Sequence, residues 1–177
     1  SGELTFENCK PEAIIQEKDA LNNLEEVMKD AIVCISAEAV GAMEKCYRLT
    51  IEYTQQREQF GSPLSKFQAL QHRMVDMFME TEYTKSFLLK VLATEDKDEK
   101  TKLIYGLKNQ ISKSGKLVGE EAVQLHGGMG VTEEMSIGHY LKRLMVIANI
   151  FGSADFYLQK YINCLLYTSP SPRDLST

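Results

Sequence analysis

The chain has 177 residues, of which 44% are hydrophobic and 25% charged, with a net charge of -5 at neutral pH. That composition suits a soluble globular domain large enough to bury its own core, and the acidic balance without a basic, aromatic-interleaved stripe argues against a nucleic-acid partner. No apolar run approaches the ~18 residues of a membrane span, and the first residues do not resemble a signal peptide. Cys9, Cys34, Cys46 and Cys164 show neither CxxC pairing nor metal-ligand spacing. They read as reduced core thiols of a cytoplasmic protein.

In chain order, Ser1-Gly2-Glu3-Leu4-Thr5-Phe6 reads as the end of a strand, and strand signals are confined to the first eight or so residues. The prolines stand at 11, 63, 170 and 172, so none interrupts the stretch from Leu64 to Ser169 and long helices are permitted there. Ile32, Ile35, Ala39, Ala42, Met43, Cys46, Leu49, Thr50 and Tyr53 recur at steps of three and four, which predicts an amphipathic helix from about Ala20. Phe67, Leu70, Met74, Met77, Phe78 and Thr81 continue the pattern. Leu103, Leu107, Ile111, Ser114, Val118, Ala122 and Leu125 make a third stripe, with the charged run Glu95–Lys100 as connection and helix start. A shorter fourth helix fits Glu133–Ile147, and a fifth begins near Ser153. The expected fold is all-α, an antiparallel, up-down four-helix bundle.

The tail has a different character. Cys164-Leu165-Leu166-Tyr167-Thr168-Ser169-Pro170-Ser171-Pro172-Arg173-Asp174 resembles the conceptual translation of a sequencing-library adapter. With no initiator Met at the start, the expectation is a fragment truncated at both ends, whose residues 164–177 are artefactual or disordered.

Two short blocks carry the chemistry. The first, Tyr53-Thr54-Gln55-Gln56-Arg57-Glu58-Gln59-Phe60-Gly61-Ser62-Pro63-Leu64, sets a guanidinium just before a turn marked by Gly61 and Pro63. Arginine's forked donors and freed backbone N–H groups suit a phosphate; a plain helix C-cap, with Arg57 offsetting the dipole, is the alternative. The second, Gln124-Leu125-His126-Gly127-Gly128-Met129-Gly130-Val131, places three glycines within four residues, more than a helix stop requires. No strand precedes it, so it is not a dinucleotide-fold glycine loop.

Together these blocks resemble the C-terminal helical domain of the flavin-dependent acyl-CoA dehydrogenases. Arg57-Glu58-Gln59-Phe60-Gly61 followed by Phe67-Gln68 is similar to the family's Arg-x-x-Phe-Gly…Gln pattern, and Gln124–Gly130 to its Gln-x-x-Gly-Gly-x-Gly. The resemblance covers about Leu4 to Asn163. It implies residues 1–18 as the end of a β-domain and a linker, and 19–163 as the helical domain. It implies FAD as cofactor, with Arg57 and Gln59 facing its diphosphate and Phe60 and Gln68 nearby, and Gln124, Gly127 and Gly128 contacting the flavin of a neighbouring subunit. Gly152 and Ser153 complete the implied set of cofactor-binding residues. An acyl-CoA substrate, a homo- or hetero-oligomer (dimer or tetramer) and an electron-transferring flavoprotein as acceptor are implied with it. Gly138–Arg143 and Phe151–Asp155 look closest to the small subunit of bacterial pimeloyl-CoA dehydrogenases.

The implied reaction needs a carboxylate to remove the α-proton of the thioester while the flavin takes a hydride from the β-carbon. Many members place glutamate before a glycine in Ile-Tyr-Glu-Gly-Thr, whereas this chain reads Ile150-Phe151-Gly152-Ser153. A phenyl ring accepts no proton. Some members supply glutamate from the first helix, near Ala31, which is also absent; Asp30, one residue off, and Asp155, one helical turn beyond Phe151, are the remaining candidates. A non-catalytic FAD-binding partner subunit is the alternative reading. His72, His126 and His139 read as satisfied or solvated side chains, with no metal site.

Overall fold

A computed structural model describes residues 5–13 and 19–168. Among these residues it contains five helices: α1 (Ala20–Gln56), α2 (Gln68–Ala93), α3 (Lys97–His126), α4 (Ser136–Asn149) and α5 (Ala154–Thr168). The all-α bundle read from the proline-free, three-four periodic stretch is the observed fold, with α5 added to the four-helix unit. Residues 5–13 form no strand, and the remainder of the expected first strand lies outside the described residues. A two-residue antiparallel ladder instead forms between β1 (Glu58–Gln59) and β2 (Ser62–Pro63), a hairpin too short to leave a period in the sequence.

The central element is α3, which packs against every other helix. Its start follows the charge run: Asp96 accepts a hydrogen bond from the Glu99 backbone N–H at 2.8 Å, and Asp98 and Glu99 lie in the first turn, where the dipole favours acids. Leu107, Ile111 and Val118 are buried facing Ile32 and Met43 of α1 and Met77 of α2, the stripes expected from periodicity. Phe78 departs from its stripe: it is 46% exposed and sets its ring edge-on to Tyr47. Gly119 lets α4 come close, since a Cβ there would lie 2.8 Å from Leu141 Cδ1 and 3.3 Å from its Cα. Helix α4 begins at Ser136 rather than Glu133, and α5 runs on to Thr168, past the expected boundary at Cys164. Residues 169–177 lie outside the described residues. Only Cys46 is a buried core thiol, with its pKa pushed up to about 12 by desolvation; Cys9 and Cys34 are exposed.

The least expected core residue is Lys108, which is fully buried in α3. Its ammonium donates to the carbonyls of Ile147 at 2.9 Å and Ala148 at 3.1 Å, near the end of α4, and to Ser112 Oγ at 3.3 Å. The negative end of the α4 dipole and the face of Tyr157 stand in for a carboxylate partner. Desolvation lowers its pKa from 10.5 to about 8. Between those two values the unfolded chain binds more protons than the folded one, so this group makes stability rise with pH across pH 8 to 10.5. Cys46 acts oppositely, because its stabilising contribution is present below pH 9 and lost as pH rises through about 12. The clean window is therefore pH 7 to 9. Denaturant titrations there should show wild type gaining about 1 kcal/mol on Lys108→Met between pH 8 and 9. A gap that does not move with pH would mean that the lysine is not titrating as assigned.

Candidate flavin-diphosphate cleft

Arg57 ends α1 by leaving helical backbone, at φ -80° and ψ 119°, while its N–H still donates to Tyr53 O at 2.9 Å. Its carbonyl accepts from the Leu64 N–H at 2.8 Å, closing the hairpin. The backbone of Arg57 is thus pinned from both sides. The hairpin loop is Phe60 and Gly61, with φ of 54° and 75°. Two consecutive positive φ values define a primed two-residue turn, which suits Gly61 and strains Phe60. Phe60 is 91% exposed and meets Phe67 edge-on at 6.3 Å between ring centroids.

At the other block α3 stops at His126, because Gly127 adopts φ 60° and ψ -141°, a conformation essentially restricted to glycine. Gly130 is demanded by packing: a Cβ there would lie 2.6 Å from Val123 O. Gly128 is demanded by neither. Its φ is not positive and nothing lies within 4 Å of an added Cβ. Its missing side chain leaves a bare wall.

That wall faces Arg57. One open cleft of about 580 Å³ is lined by Tyr53, Arg57, Gln59 and Leu64 from the first block and by Gln124 to Met129 from the second, with Leu70 and Arg73 of α2 between them. Blocks that the sequence separates by 67 residues therefore form one site. Phe60 and Gln68 lie outside the lining, both exposed. The C-terminal ends of α1 and α3 both meet the cleft and bring partial negative charge to it. Arg57 opposes them with a guanidinium that has no protein partner among the described residues. Arg73 lines the same cleft, paired through Nε to Glu121.

His126 was expected to be satisfied or solvated and is only half satisfied. It is 2% exposed and stacks on Tyr53 at 4.4 Å between centroids. Its Nδ1 lies 2.7 Å from Ala122 O, which requires the proton on Nδ1, and Nε2 is buried without a partner. Burial lowers its pKa, so the ring stays neutral. His72 and His139 are exposed. No cluster of three metal-ligating side chains occurs among the described residues.

Gly152 and Ser153 are not in this cleft. They lie with Phe151 on the turn from α4 to α5, where Phe151 takes φ 63° and its carbonyl accepts from Tyr157 Oη at 2.8 Å. A cavity of about 110 Å³ there is lined by Phe151, Tyr105 and Lys160, and by Glu25, Met28, Lys29 and Ile32 on one face of α1. The carboxylate that shares this cavity with Phe151 is Glu25, not Asp30 or Asp155. Asp30 is exposed on α1. Asp155 is exposed in the first turn of α5, where Ser153 Oγ accepts from the Phe156 N–H at 3.3 Å, so a helix-start role accounts for both residues. Tyr105 and Gln124 stand on the same helix, nineteen residues apart, so about 28 Å separates the turn from the cleft.

This architecture matches known proteins. The acyl-CoA dehydrogenase C-terminal domain model matches residues 23–160. The acyl-CoA dehydrogenase IpdE2 of Mycolicibacterium smegmatis is 34% identical over 122 residues, covering 69% of this chain and 38% of that protein. A short-chain-specific acyl-CoA dehydrogenase of Megasphaera elsdenii is 28% identical over 125 residues, 70% of this chain and 33% of the relative. The butyryl-CoA dehydrogenase structure from Megasphaera elsdenii superposes with a TM-score of 0.80 at 26% identity, covering 85% of this chain and 40% of that one. The chain thus spans less than half the length of each of these relatives. With the fold and 138 consecutive positions in agreement, the chain belongs to the acyl-CoA dehydrogenase C-terminal domain family.

Proposed function

We propose that this domain forms one wall of an FAD site in an acyl-CoA dehydrogenase subunit and holds the cofactor's diphosphate in the cleft between the two blocks. The convergence of Arg57, Gln59, Gln124 and the bare Gly128 wall carries this reading. The residues fit such a group: a pinned arginine without a protein partner offers forked donors to phosphate, and glycine backbone lets a flat ligand approach. The family resemblance divides these residues between two flavins, but one cleft supports a single ligand touching both blocks, carried by a neighbouring subunit of a homo- or hetero-oligomer. Bound FAD would supply the hydride acceptor for α,β-dehydrogenation of an acyl-CoA thioester, with an electron-transferring flavoprotein as the onward acceptor. The pimeloyl-CoA subtype is part of this proposal, on Gly138–Arg143 and Phe151–Asp155.

Phe151 supports a second reading, a non-catalytic partner subunit. The phenyl ring cannot take a proton, and neither Asp30 nor Asp155 reaches the Phe151 cavity lining. On this reading a base-bearing subunit completes the enzyme, and this chain contributes flavin binding and oligomer contacts.

Three outcomes are expected. Arg57→Ala should weaken FAD binding about tenfold or more through loss of a charge-assisted contact, with Gln124→Ala acting in the same direction. Fluorescence titration showing unchanged affinity in both would remove the cofactor assignment. Gly128→Leu should fill the cleft, lowering FAD affinity while shifting the melting temperature little, because the added side chain enters open space. Asp155→Asn should leave turnover of the assembled enzyme nearly intact, whereas a loss of ~10²–10⁴-fold would make Asp155 the base and overturn the partner reading.

A further inference from the structure

The cleft contains a second cation that the two sequence blocks do not include. Arg73 lies on α2 one turn beyond Leu70, and both residues line the cleft opposite Gln124. Its Nε donates to Glu121 Oε2, and Glu121 lies one turn before Gln124 on α3. No other protein acceptor engages this guanidinium among the described residues, so both terminal nitrogens are uncommitted. Both partners of the pair are partly exposed, at 36% for Arg73 and 29% for Glu121. A guanidinium held through Nε by a carboxylate has its plane fixed and its two Nη groups left as a donor fork, the geometry that grips phosphate.

Donor number gives the reason for a second arginine, because Glu121 offsets the charge of Arg73 but leaves its two Nη groups able to donate. Two helix C-termini meet the cleft, each equivalent to about half a negative charge, and together they offset roughly the whole of Arg57. A diphosphate brings several charged acceptor oxygens, more than the single donor fork of Arg57 engages. We propose that Arg73, oriented by Glu121, is a second phosphate-binding group of the cleft, so that the diphosphate is held between guanidinium groups from α2 and from the end of α1. This rests on the FAD reading above and adds to it a residue and a division of labour. Arg57 has a pinned backbone and an unpaired side chain, whereas Arg73 has a paired side chain aimed by a helix-to-helix ion pair.

The test compares FAD with riboflavin, which has the ring system and no phosphate, by fluorescence titration of the purified full-length, assembled protein. Arg73→Met should weaken FAD binding about tenfold or more while changing riboflavin binding less than about twofold, and Arg73→Lys should recover part of the loss. Glu121→Gln keeps an acceptor for Nε and removes a negative charge, so it should tighten FAD binding and steepen its salt dependence. Equal losses for FAD and riboflavin in Arg73→Met would show a merely structural role and overturn the inference, as would weaker FAD binding in Glu121→Gln. Wild-type affinity in a folded Arg73→Met protein would remove Arg73 and leave the FAD reading standing. A wild-type protein that binds no FAD would remove the FAD reading and this inference together. Should Arg73→Met fail to fold, the Glu121→Gln and Arg73→Lys titrations decide the matter.

Discussion

The junction of α3 with the end of α4 and with α5 depends on one buried ammonium. Lys108 sits where the stripe of Leu107 and Ile111 turns from α1 towards α4, and it reaches the last carbonyls of α4 instead of water. An isolated buried charge would be expensive, but a helix C-terminus offers unsatisfied carbonyls and a partial negative charge at the same point. Ser112 adds a second donor to Ala148 O, and Asn109 donates to Ala154 O across the turn. Helix α3 therefore holds both sides of the segment carrying Phe151 through polar contacts, while Gly119 and the leucines of α4 provide close apolar contact further along. Specificity of the α4 position comes from the polar end, and most of its burial energy from the apolar one.

The same helix separates the two chemically interesting regions. Its C-terminal end enters the cleft with Arg57 and Arg73, and its first half lies under the Phe151 turn about 28 Å away. An FAD molecule is long enough for one end to be held by the domain while its reactive ring lies elsewhere. On the partner-subunit reading proposed above, that separation lets the chain carry cofactor-binding residues without the residue type required for proton abstraction. The constraints at the two ends are different: donors and bare backbone at one, a carboxylate with access to a substrate carbon at the other.

Much of the helical fold was legible because periodicity and the placement of proline are local properties. The helix ends at Gln56 and His126 were equally legible, since Arg57–Pro63 and the glycine run break the pattern in place. What the sequence could not display was convergence. Nothing local says that two breaks 67 residues apart share one cleft, and Arg73 and Glu25 sit inside helical patterns where a charged residue reads as a solvated face. Lys108 was invisible for the same reason, because its partners lie about forty positions away. The hairpin was missed because its strands are two residues long and its first loop position is Phe60, an aromatic at a positive φ where asparagine or glycine is the usual signal. Asp30 and Asp155 were chosen by sequence distance from an expected position. The lining of the Phe151 cavity follows helix faces instead, and places Glu25 with Met28, Lys29 and Ile32 at the spacing of one α1 stripe.

Glu25 does not by itself make this chain a catalytic subunit. It is an exposed carboxylate on α1, and its cavity of about 110 Å³ is also lined by Phe151, Tyr105 and Lys160. Lys160 lies over the rings of Tyr105 and Phe156 at 5.2 and 5.1 Å, a cation held near the only acid of the lining. Phe151 itself occupies the aligned position of the family's usual base and shares the cavity with that carboxylate, and its backbone is fixed there by the Tyr157 hydroxyl. A turn held this firmly around a side chain without acid-base chemistry is organised for shape, the property on which the proposed partner-subunit reading rests.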